Sequence, residues 1–306
     1  MNFDYYFQKL QKNTFSIFLF HGVIDKAYPG IRNYTNKHIL KKDFEKLLEI
    51  LQGIGNPISL DDIVKYHEEK KTIPENSFSI TFDDGFENNF SIAKPILENL
   101  SIPATFYIST NLIDQNLMTW TDQIEFCIDL TKIRSIKLPW SEKDYSISTP
   151  ESKVFCLEEI RKIVKRKTNL FNIENLVQDI FRQCKVNSIT KSNSIIDKKM
   201  NWSQIEILHN HSLFSIGGHS HNHTSLGMIS KNKMKKEIRD SINMLRDKAN
   251  VESMHYSYPE GQKIDYNNDV IETLINNNIR CCPTAIEGTN NNNLGSLFNL
   301  KRITVY

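Results

Sequence analysis

The chain has 306 residues, long for an ordinary domain but common for a single α/β barrel. Hydrophobic residues at 39% and charged residues at 24% describe a globular protein with a sizeable core and exclude a disordered one. A balance of 38 Lys and Arg against 36 Asp and Glu, net +2, gives no overall basic footprint for nucleic acid, and the run from Arg161-Lys162 to Lys167 reads as the solvated face of a helix.

The start, Met1-Asn2-Phe3-Asp4-Tyr5, lacks a basic stretch followed by an apolar one, so no export signal is predicted. The first apolar run, residues 15–20, is far short of the roughly 20 residues of a membrane span and reads as a buried strand. Phe44, Leu47, Leu48 and Leu51 recur at helical spacing within residues 41–51. Ser59 reads as the N-cap of a helix over 60–67, with Asp61 and Asp62 in its first turn. Strands follow at 78–82 and 104–108, with a helix over 89–100 between them. Residues 112–201 break this rhythm. They hold helical patterns at 121–130, 153–165 and 173–181 and few strand signals. No linker composition sets them apart, so they read as a helical insertion within a single domain of 1–306. Strands resume at 214–218, 255–258, 279–282 and 303–306, with helices at 234–249 and 269–276, and 290–293 reads as a loop. Alternating strands and helices predict a parallel sheet, and some seven strands suit a closed or nearly closed barrel. The five cysteines are odd in number and form no paired framework, which fits reduced thiols in a cytoplasm. Cys281-Cys282 read as small residues on opposite faces of a strand.

Two segments carry chemistry. Thr81-Phe82-Asp83-Asp84-Gly85 follows an apolar strand, and strand ends are where the loops of α/β folds converge on ligands. Adjacent carboxylates raise each other's pKa unless a partner is present. Asp-Asp-Gly is also ordinary turn chemistry, so this segment alone leaves both readings open. The second, Gly217-Gly218-His219-Ser220-His221-Asn222-His223, packs three histidines into five residues after another apolar strand. Neutral imidazole is the commonest side-chain metal ligand. His219 and His223, four apart, would share one face of a helical turn and grip one ion, while His221 would point elsewhere. Two imidazoles and one carboxylate with positions left open form a recurring catalytic set for Zn²⁺ or Fe²⁺.

With these motifs the chain resembles the polysaccharide deacetylase family, also called the NodB-homology or carbohydrate esterase family 4 group. Residues 81–85 match its T-F-D-D-G motif and 219–223 its H-[ST]-x-x-H motif. Tyr256-Ser257-Tyr258-Pro259-Glu260-Gly261 looks like the Y-P-x-G form of its third motif. Phe20-His21-Gly22 and Leu300-Lys301-Arg302-Ile303 resemble first-strand and late segments of one branch. The resemblance runs in order from about residue 16 to 305. It implies a distorted (β/α)7 barrel, here with a helical insertion, that removes N-acetyl groups from the amino sugars of a polysaccharide or glycan precursor. It implies Asp83 as general base, and Asp84, His219 and His223 as ligands of a divalent ion. Zn²⁺ comes first, and Co²⁺, Ni²⁺ or Fe²⁺ also suit the donors. The Glu260 N–H would serve an oxyanion, and Tyr258 and Pro259 would line the sugar groove.

Two departures stand out. Ser257 occupies the position where many members carry an Arg, and the family's late Leu-x-His is missing. Arg302 is then the candidate to hold Asp83 ionised, the alternative being a surface Arg at a strand start. His21 is the candidate for a supporting role as the acid, the alternative being a core histidine. The expected partner is an N-acetylated sugar or glycan, not nucleic acid. The expected location is the cytoplasm or the inner face of a membrane. Two other readings are an amidohydrolase of small cyclic amides and a non-catalytic glycan-binding protein.

Overall fold

The computed structural model describes residues 1–166, 172–293 and 295–306, so Lys167 of the basic run lies outside the described residues. The first long strand, Thr14–Phe20, is buried from Phe15 onward, as a strand covered on both faces must be. Ser77–Phe82 and Ile303–Thr304 pair with it in parallel. Ser77–Phe82 in turn pairs with Ala104–Ile108, and that strand with Phe214–Gly218, all parallel. The path continues through single parallel bridges: Gly218 to Tyr256, His255 to Cys281, and Glu287 to Arg302 beside Ile303. Pairing thus returns to the first strand after seven stations, and the expected barrel is distorted because three stations hold little regular strand.

Local chemistry explains one of the weak stations. The strand predicted at 255–258 shrinks to bridges because Ser253 Oγ takes the His255 N–H (2.9 Å) and Pro259 has no N–H to donate. Residues 290–293 depart from the loop expected there: Asn290–Asn291 pairs antiparallel with Thr14 and Phe15. The predicted helix over 89–100 opens as a π turn, Asn89–Ala93, and continues as Lys94–Asn99. Pro95 lacks the N–H that a regular α-helical ladder would need there.

Other helices follow their sequence signals. Lys41–Ile54 buries Phe44, Leu47, Leu48 and Leu51, and Leu60–Glu68 is capped by reciprocal bonds between Ser59 and Asp62. Lys231–Ala249 and Asn268–Asn276 pack outside the later strands. All five cysteines are free and buried, with Cys281 and Cys282 in different apolar clusters. Among the described residues, no helix is long and apolar enough to cross a membrane.

The insertion builds a core of its own. Its helices Trp120–Leu130, Pro150–Arg166 and Ile173–Cys184 bury Ile128, Leu157, Ile160, Ile180 and Phe181 together with Ile31 from the barrel side. A short antiparallel pair, Ser135–Ile136 with Tyr145–Ser146, gave no clear signal in the sequence. Buried ion pairs tie this unit to the barrel. Arg32 meets Asp197 at 2.6 Å and Glu125 at 3.3 Å, and Lys37 meets Asp122 at 2.6 Å.

Aromatic rings level the platform on which the site is built. Phe20, Phe82 and Phe106 are cross-strand neighbours, stacked with centroids 5.4 and 5.1 Å apart. Phe82 ends its strand, and the next residue is Asp83, whose N–H donates to Phe20 O at 3.0 Å.

Candidate metal centre and active site

Asp83 and Asp84 leave the second long strand together, but the backbone sends them to different partners. Asp84 has φ 72° and Gly85 φ 68°, so the chain turns through the left-handed region as the strand ends. The histidine loop is built in the same way. It is not the helical turn its spacing suggested: Ser220 (φ 56°) and His223 (φ 54°) fold residues 219–223 into a tight bend. Ser220 N–H donates to Tyr256 Oη at 2.9 Å, and Thr224 N–H donates to Ser220 Oγ at 2.9 Å, which fixes that bend. Both glycines before it are required by close approach. A Cβ on Gly217 would lie 2.5 Å from the Tyr107 ring, and one on Gly218 would lie 2.5 Å from the Tyr256 ring.

The outcome is a convergent donor set. Asp84 Oδ1 lies 3.1 Å from His223 Nε2 and 3.6 Å from His219 Nε2. Metal–donor bonds of about 2.0–2.1 Å in a tetrahedral array put donors roughly 3.3–3.5 Å apart, so these separations fit one ion. Asp84 Oδ1 is buried and has no hydrogen-bond partner among the described residues despite that proximity. A buried carboxylate oxygen without a donor is costly unless a cation completes it. His219 Nδ1 donates to Ser257 O at 2.9 Å, which leaves Nε2 with its lone pair toward the centre. His221 points away, to Thr110 Oγ1 at 2.9 Å, and His255 pairs with Asp61 at 3.1 Å outside the site.

Asp83 stands beside this set, 3.9 Å from His219 Nε2. Its counterion is Arg302, which is fully buried. Arg302 Nη1 donates to Oδ1 at 2.8 Å and Nη2 to Oδ2 at 2.7 Å. The guanidinium is held further by Thr284 O at 2.6 Å, Ser257 Oγ at 2.9 Å and Thr81 Oγ1 at 3.3 Å. Ser257 thus makes room for an arginine that arrives from the last strand instead of from its own position. Burial alone would raise the Asp83 carboxyl, but Arg302 and His219 outweigh it and hold the group below its ordinary value. Burial likewise works against Asp84, yet His223, His21 and Lys37 keep it well below that value. Burial pushes His219 down, whereas Asp84 raises His223 against the same penalty.

His21 lines the same small chamber, together with Lys37, Asp83, Asp84, His219 and His223. Burial pushes its imidazole down to about 4 despite Asp84 and Asp83, so it is neutral near pH 7. The expected part of a resting, charged acid therefore does not suit it. Glu260, with φ 63°, reaches the chamber rim, where its carboxylate pairs with Lys165 of the insertion. The groove-lining part expected for Tyr258 and Pro259 is not what the structure shows. Tyr258 is fully buried, stacked on Tyr266 at 4.3 Å, with its hydroxyl donating to Phe298 O at 3.2 Å, and Pro259 is buried beside it. Two apolar rings after a strand suit a core as well as a groove, and the core took them. Tyr258→Phe should therefore cost about 1 kcal/mol of stability in denaturant titration and leave substrate KM unchanged. A several-fold rise in KM would restore the groove assignment.

Sequence reasoning missed Lys37, Trp120 and Lys165, which line the chamber. None belongs to a motif. Lys37 lies in a loop, and the other two reach the site only because the insertion folds over it.

A model of the family described as polysaccharide deacetylase matches residues 70–282. That span holds Asp83, Asp84, His219, His223 and Glu260, and leaves out the strands that carry His21 and Arg302. No curated protein matches the chain in sequence. Solved structures share its fold almost end to end. The Streptococcus pyogenes deacetylase PplD, solved with acetate, has TM-score 0.61 at 15% identity, covering 96% of this chain and 93% of that one. IcaB from Ammonifex degensii has TM-score 0.61 at 13% identity, with coverage of 97% and 93%. The BpsB deacetylase domain from Bordetella bronchiseptica has TM-score 0.57 at 16% identity, with coverage of 96% of each chain. At such identities the likeness speaks for the fold alone, and membership rests on the family model, which spans more than two thirds of the sequence and contains both strand-end motifs. On that ground the chain belongs to the polysaccharide deacetylase family.

Proposed function

We propose that the chain is a metal-dependent hydrolase that removes N-acetyl groups from an amino sugar of a polysaccharide or glycan precursor. One observation carries this reading: Asp84 Oδ1, left without a donor, faces two imidazole nitrogens at 3.1 and 3.6 Å, with the Arg302-held Asp83 alongside. Asp84, His219 and His223 would hold the ion, with Zn²⁺ first among the metals that suit the set. When bound, a divalent ion supplies a Lewis acid that polarises the amide carbonyl and acidifies water.

The chain's own residues do the rest. Asp83, ionised and fixed by its arginine, takes the proton of the attacking water. Its carboxyl then carries a proton that can pass to the departing nitrogen, which leaves badly as an anion. His21, neutral at rest, is assigned the orientation of that nitrogen through a single hydrogen bond. The Glu260 N–H, turned inward by its left-handed backbone, is assigned to the developing oxyanion.

Elemental mass spectrometry on the wild type and an Asp84→Ala variant tests the ligand set. The expected result is about one ion per chain in the wild type and at least a tenfold loss in the variant, since two imidazoles alone hold an ion poorly. A wild type that stays empty after zinc is added and releases no acetate from acetylated glycans would overturn the reading.

A further inference from the structure

The metal chamber opens sideways into a larger space. The chamber measures about 220 Å³ and its neighbour about 1100 Å³. Trp120, Lys165, His223 and Glu260 line both, so one ligand can span them. The chamber alone is smaller than the roughly 300 Å³ at which small-molecule sites begin. It can hold a reacting amide but not a whole substrate.

The walls of the larger space are aliphatic. Leu117 and Ile173 stand on the insertion side, and Met228, Ile229 and Ile264 on the barrel side, with Trp120 at the junction. Ile264 is 50% exposed, an unusual position for a large apolar side chain beside a polar site. Branched aliphatic and thioether side chains remove methylenes from water and give sugar hydroxyls nothing to bond. At the junction the Lys165 and Glu260 charges neutralise each other, so the passage presents no net charge to an apolar chain.

We infer that the substrate carries an aliphatic chain next to its amide, and that this groove holds the chain. The inference rests on the hydrolase reading for the amide's place at the metal. The chain is either a lipid aglycone on the sugar or a long N-acyl group, since both offer the same methylenes. Each buried methylene should tighten binding roughly fourfold until the groove is filled.

The test reads binding. The zinc-loaded Asp83→Asn protein is titrated calorimetrically with three probes below their micelle concentrations. They are methyl N-acetylglucosaminide, decyl N-acetylglucosaminide, and a methyl glucosaminide N-acylated with decanoate. One of the two long-chain probes is expected to bind more than tenfold more tightly than the methyl reference. That gain should fall below tenfold when Ile264→Asp or Ile173→Asp is added. Both substitutions should leave the fold intact: Ile264 is half exposed, and Ile173 opens its helix, where an acidic residue is favourable. Whichever long-chain probe gains identifies where the chain is attached. Gains below tenfold for both probes, or a gain that survives both substitutions, would overturn the inference. Acetate release from the methyl glycoside by the wild type reports separately on the hydrolase reading, so the two can fail independently.

Discussion

An Asp83→Asn protein should retain its metal and lose roughly 10²–10⁴-fold in kcat, the range a positioned general base contributes. The substitution keeps the size of the side chain and the acceptor for one arm of Arg302, but removes the proton-accepting charge. It also leaves a buried guanidinium without its counterion. Removing one partner of a buried pair costs about 3–5 kcal/mol, and the amide oxygen recovers part of this, so the lower end is expected in denaturant titration. Metal content, kcat and the unfolding midpoint, measured on one preparation, separate these effects. Near-normal turnover with metal in place would remove Asp83 from the base position. Loss of metal together with turnover would instead mean that Asp83 belongs to the ligand set.

The second large effect is expected at Arg302. Arg302→Met should lower stability at pH 7 by about 3–5 kcal/mol, because the Asp83 carboxylate stays buried with no cation to match it. The pH dependence carries a sign. In the wild type the Asp83 pKa lies below its unfolded value of about 3.9, so the pair stabilises fully above that pH and fades as the pH falls through the folded value. Without Arg302, burial raises the same carboxyl above its unfolded value. The variant's deficit should then be greatest at neutral pH and shrink on acidification, while the acid limb of its rate profile moves upward. An Arg302→Lys variant keeps the charge but loses the fork that grips both carboxylate oxygens, and should fall between the two. A deficit that is constant across pH 4–8 would show that Arg302 acts through packing alone.

How much of this was legible in the sequence depends on how local each requirement is. Asp84, His219 and His223 could be read because metal ligation restricts residue type and loop chemistry restricts spacing. Even there, the reason was partly misjudged: a strained bend and not a helical turn brings the two imidazoles together. Arg302 was legible only indirectly, through the serine standing at position 257. Its carboxylate partner is 219 residues away, and no local pattern announces such a contact. The four long strands were legible because each is a short apolar run covered on both faces. The stations at His255 and Cys281 were overextended, since strand propensity says nothing about whether a neighbour's N–H is already taken. Tyr258 and Pro259 went to the core, which a motif match cannot distinguish from a groove wall. Lys37, Trp120 and Lys165 were invisible because tertiary packing alone delivers them.

The buried pairs that join Arg32 to Asp197 and Glu125, and Lys37 to Asp122, bear on how this protein could be shortened or transplanted. Asp122 and Glu125 lie on an insertion helix, yet their cations belong to the loop after the first barrel strand. A chain spliced to omit residues 112–201 would leave Arg32 and Lys37 stripped of their carboxylates and Ile31 uncovered. It would also remove Lys165, and with it the counter-charge of Glu260 at the chamber rim. Because Lys37 helps to keep Asp84 ionised, the loss would reach the metal ligand itself. Grafting the two motif loops onto a bare barrel would reproduce the donors without the charges that set their protonation. For this sequence, the smallest transferable catalytic unit includes the insertion.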